Sequence, residues 1–123
     1  MSMLDMREHV ALDRSPIEEM CRSLGVEKAE RLVGGAMEEL AVWISRADPM
    51  WRQGRIEELR QLAGQVAPLA ERLGMPNLAA VAAQLVALCA RDDPAALAAV
   101  ASRMIRLGES SLVAIWELQN LSG

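Results

Sequence analysis

The chain has 123 residues, 52% of them hydrophobic and 24% charged, and its net charge is -4. That length supports one core and leaves little room for a second domain, and the mixed charge gives no basic footprint for nucleic acid or an anionic membrane. Phe and Tyr are absent, so Leu, Ala, Val, Met and Ile must fill the core around three Trp, a palette that favours helices over sheets.

Residues 1–14 hold scattered apolar positions (Leu4, Met6, Val10, Leu12) without a clean period, and are expected to form an extended or loosely helical arm. Asp5, Arg7 and Glu8 interrupt the apolar stretch that a signal peptide needs, so a cytoplasmic location is expected. Ser15-Pro16-Ile17-Glu18 has the pattern of a capping box, with Ser15 as cap, and predicts a short helix to about Leu24 that Gly25 stops.

From Val26 to about Ala47, apolar residues recur at spacings of three and four (Ala29, Leu32, Val33, Ala36, Met37, Leu40, Trp43, Ile44), which predicts an amphipathic helix closed by Asp48-Pro49. Gly34-Gly35 inside it weakens the helix by about 1 kcal/mol per glycine, and a close helix approach there is the expected compensation. A third helix, starting between Pro49 and Arg55, carries the stripe Ile56, Leu59, Leu62, Val66, Leu69 and Leu73, and Gly74 ends it.

The run Leu78 to Ala90 is well short of the roughly 20 apolar residues of a membrane span, and predicts a buried fourth helix. Asp92-Asp93-Pro94 then opens a long fifth helix with the stripe Leu97, Val100, Met104, Leu107, Ser111, Ile115 and Leu118. Short links force neighbouring helices to run antiparallel. The expected fold class is therefore all-α: an up-and-down four-helix bundle over residues 15–123, with an additional short N-terminal helix and the arm 1–14.

The side chains needed for catalysis are missing. His9 is the only histidine and lies in the arm, so neither a di-iron bundle nor a zinc site can be assembled, and the arm gives no packed helix to hold its imidazole for phosphotransfer. Glu18-Glu19, Glu38-Glu39 and Glu57-Glu58 are adjacent pairs, which diverge on a helix by about 100°. Ser110-Ser111 has no base beside it. The stretch Arg52 to Arg60 interleaves both signs and reads as an ordinary helix surface. Met20, Met37 and Met104 fall on the stripes as core filler, and Cys21 and Cys89 read as reduced core cysteines. No enzyme activity, cofactor or metal is expected.

Leu62-Ala63-Gly64-Gln65-Val66-Ala67-Pro68-Leu69-Ala70-Glu71-Arg72-Leu73-Gly74, followed by Met75-Pro76-Asn77-Leu78 and an alanine-rich helix, resembles the histidine-containing phosphotransfer (HPt) domain family. In that family a helix carries His-x-x-Lys-Gly, followed six residues later by the glycine of a Leu-Gly stop. The resemblance places Gly64 at the phosphorylated histidine, Ala67 at the lysine and Pro68 at the glycine, and so implies a degenerate member without a phosphoacceptor. It implies docking on a response-regulator receiver domain or a histidine kinase without relay of phosphate. The docking face would centre on Arg60, Gln61, Gly64, Ala67, Pro68 and Glu71, which the third helix's stripe turns outward. Pro68, whose missing bond would go to Gly64, is expected to kink or loosen that helix. The alternative is a homodimer or subunit-like bundle unrelated to phosphorelays.

Overall fold

The computed structural model describes the backbone of residues 11–122 and the side chains of residues 11–117. Every regular element among them is a helix. Residues 11–14 have no regular structure and lead into α1 (Ser15–Leu24). Capping there differs from the expected box. Ser15 is already helical, and its N–H donates to Asp13 Oδ1 at 2.9 Å. Asp13 thus satisfies an amide that has no acceptor inside the helix. Gly25, at φ 85°, is the single residue between α1 and α2 (Val26–Arg52).

Helix α2 does not close at Asp48-Pro49 but runs one turn further, with Pro49 inside it. An interior proline costs about 3 kcal/mol. The same turn buries Ala47 completely and sets Met50 and Trp51 against the core. The apolar area that Met50 and Trp51 take out of water works against that cost. Arg52 Nε also pairs with Asp48 Oδ2 at 2.9 Å.

Helices α3 (Ile56–Arg72), α4 (Pro76–Leu88) and α5 (Pro94–Ser122) follow. The ends of α2 and α3 are the same motif. Arg55 N donates to the Met50 carbonyl and Gly54 N to Trp51; Met75 N donates to Ala70 and Gly74 N to Glu71. These are Schellman bonds, and they place Gly54 (φ 70°) and Gly74 (φ 74°) in the left-handed region where a glycine is favoured. At the start of α5, Asp93 Oδ1 accepts from Ala96 N at 3.1 Å, as its capping position predicts.

In space α3 lies against α2 and α4, α5 lies against α4 and α2, and α1 lies on α2 and touches α3. The core between them is filled by Leu40, Leu59, Leu62, Leu73, Met75, Leu78, Leu85, Met104 and Leu107. Met104 is fully buried, and Met20 and Met37 pack against the same core. Both thiols are free, but only Cys89 packs against the core; Cys21, on α1, does not reach it.

Two further expectations are corrected. Leu32, counted in the apolar stripe of α2, is 47% exposed. Gly34 and Gly35 make no close helix approach, since a Cβ on either would meet nothing within 4 Å. The close approach is at Gly108 of α5, where a Cβ would lie 2.5 Å from Ile44 Cδ1 and 2.7 Å from Ile44 Cγ1.

Candidate functional site

The outward side of α3 follows from its stripe. Leu59, Leu62, Val66, Leu69 and Leu73 are all buried, and so are Ala63 and Ala70, which widen the buried side beyond the leucine and valine positions. Gln61, Gly64, Pro68 and Glu71 are exposed. Arg60 and Ala67 are half-buried, with Ala67 packed against the core, so the expected face keeps four fully outward members and two that lean inward. Nothing lies within 4 Å of a Cβ placed on Gly64. Helix α3 is continuous through both Gly64 and Pro68.

Charge on this face is internally paired. Arg60 Nε donates to Glu57 Oε2 at 2.9 Å, and a second guanidinium nitrogen donates to Glu57 Oε1. That hydrogen bonding holds the Glu57 carboxyl below its ordinary value and raises the Arg60 guanidinium. Arg55 and Glu58 form the equivalent pair at the start of the helix. Exposed i,i+3 pairs of this kind are largely screened by solvent and contribute little to stability.

The neighbouring helix supplies a part of the surface that sequence reading missed. No charged residue occurs between Arg72 and Arg91, and α4 itself contains none. Its inner side buries Leu78, Ala79, Val81, Ala82 and Leu85, but Ala80, Ala83, Gln84 and Ala87 are exposed. The fourth helix is thus buried on one side only. Cys89, just past its end, lies close enough to Arg60 and Glu57 to feel their charges, which sets the ends of α3 and α4 side by side. Burial raises the Cys89 thiol, and Arg60 opposes that shift. The uncharged run Leu78 to Ala90 predicts a buried helix, and its exposed side is hidden in the sequence because alanine suits either side of a helix.

The titratable groups at this surface are the paired Glu57 and Arg60, exposed Glu71, and the half-buried Cys89 thiol, whose pKa burial raises. Among the described residues no group of three or more His, Cys, Asp or Glu could hold a metal ion, and no helix is long and apolar enough to cross a membrane. Ser111 is buried inside α5 and Ser110 is exposed. His9 lies outside the described residues. Compared with known protein families, curated proteins and solved structures, the chain matches none of them.

Proposed function

We propose that this chain is a non-catalytic, HPt-like four-helix bundle that docks on a receiver domain or histidine kinase of a two-component system without carrying phosphate. The carrying observation is that Gly64 and Pro68 on α3 and Ala83, Gln84 and Ala87 on the adjacent α4 are exposed and uncharged, with Ala67 half-buried between the two exposed α3 positions. Support for the bundle comes from the ring of neighbours α2, α3, α4 and α5, with α1 as the extra helix. Short side chains leave α3 approachable, and the Glu57–Arg60 pair and Glu71 provide a polar rim of the kind that surrounds protein interfaces. Function resides in that site, since a helical bundle alone fits many roles.

The experiment is a paired one. Receiver domains from the same cell, phosphorylated by their kinases with labelled phosphate, are mixed with the chain, and binding and label transfer are both read. Binding at micromolar concentration with no label on the chain is the expected outcome. Absence of binding to every receiver and kinase from that cell contradicts the proposal.

The alternative, a self-associating bundle unrelated to phosphorelays, is favoured by a different surface. Val113 and Trp116 on α5 are 56% and 60% exposed, and α3 and α4 expose no large apolar side chain. Light scattering separates the two readings: a stable dimer that survives Gly64→Arg but is lost in Trp116→Glu supports self-association through α5.

A further inference from the structure

Helix α1 is held differently from the other elements. It has no fully buried residue, and only Ile17 and Met20 lean on the core. Its side-chain hydrogen bonds, from Arg22 and Ser23 to Glu19, stay within the helix. What ties it to the rest lies just upstream. Leu12 packs against the core, and Asp13 N donates to the Gly74 carbonyl at 2.7 Å. The Asp13 carbonyl oxygen stands 1.8 Å from where a Cβ on Gly74 would be, so the two backbones cross with no room for a side chain. The Asp13 carboxylate then holds the first amide of α1.

We infer that residues 12–14 are a strap that fastens α1 across the link between α3 and α4, and that strap and helix open together as one unit before the rest of the chain unfolds. Local stability follows buried apolar contact, and of α1, α2, α3 and α4 it is α1 that has no buried residue. Gly74 is the fastening point because it alone lets the Asp13 backbone lie flat on the link. Opening exposes Ile17, Met20 and the surface of α2 beneath them. The inference stands independently of receiver docking.

Gly54 provides a matched control: it has the same Schellman position and nearly the same φ, but open space around it. Alanine at either glycine therefore meets the same backbone strain, and only Gly74→Ala also collides with the strap. Amide hydrogen exchange of the full chain is read as the ratio of protection in α1 (Glu18 to Leu24) to protection in α3 (Leu62 to Leu69). In the wild type α1 exchanges at least tenfold faster than α3. The ratio falls a further tenfold in Gly74→Ala and stays unchanged in Gly54→Ala. Equal protection of α1 and α3 in the wild type, or equal effects of the two variants, overturns the inference. Should Gly74→Ala not fold, Leu12→Ala loosens the strap from its other anchor, with the same selective loss expected in α1 and the same contradiction if both helices lose protection together.

Discussion

Gly108 and Gly35 sit in long helices and respond to alanine with opposite sign. At Gly108 the new methyl overlaps Ile44 Cγ1 and Cδ1. Overpacking costs about 1–3 kcal/mol, against about 1 kcal/mol regained in helix propensity, so urea unfolding of Gly108→Ala should show no gain and a net loss of up to about 2 kcal/mol. Gly35 faces open space, and Gly35→Ala should gain about 0.5–1 kcal/mol. Equal effects at the two positions would mean that α2 and α5 are not in contact at Gly108. Acid titration probes three other residues. Asp13 is held low by the Ser15 N–H, Glu57 by Arg60 and Glu58 by Arg55. A carboxyl whose pKa is depressed by folding contributes stability above its unfolded value and loses it as the pH falls through the folded value. The melting temperature should therefore hold from neutral pH to the ordinary carboxylate range near pH 4 and decline below it. Asp13→Asn, Glu57→Gln and Glu58→Gln together should flatten that decline, and an unchanged acid limb would show that these contacts do not persist in solution.

Proline sets a test for whole helices. Pro68 is exposed and lies within a continuous α3, where it withholds one amide from the Gly64 carbonyl. Pro68→Ala restores that bond and should raise stability by about 1–3 kcal/mol, measured by thermal unfolding; a loss would indicate that the proline ring itself is needed there. Pro49 shows why one helix end was illegible. Local chemistry at Asp48-Pro49 says stop, and the reason to continue lies in the core that Met50 and Trp51 reach, which no neighbouring residue announces. Where the signals are local, the boundaries are legible: Gly25, Gly74-Met75-Pro76 and Asp93-Pro94 each mark a helix end by backbone chemistry. Close approach is not local. Gly34-Gly35 and Gly108 look alike in the chain, and only the placement of Ile44 distinguishes them.

At the scale of the molecule, the outward position of Gln61, Gly64, Pro68 and Glu71 was legible because the leucine stripe of α3 has a firm period. The α4 half of the surface was not, because alanine serves equally well on either side of a helix: Ala79 and Ala82 are buried, and Ala80, Ala83 and Ala87 face out. Exposed Gly64 and Pro68 on α3 and exposed Ala80, Ala83, Gln84 and Ala87 on the adjacent α4 are all uncharged, and they are the residues that the proposed docking uses. Gly64→Arg places a long cation at the middle of that surface, where there is space for it, and replaces a poor helix former with a good one. The decisive measurement is an NMR titration of wild type and Gly64→Arg with receiver domains from the same cell. The predicted result is micromolar binding by the wild type, with shifts confined to residues 57–71 and 80–91, and loss of that binding in a Gly64→Arg protein that melts no lower than the wild type. Binding that survives Gly64→Arg, or shifts that map to α2 and α5, would contradict it.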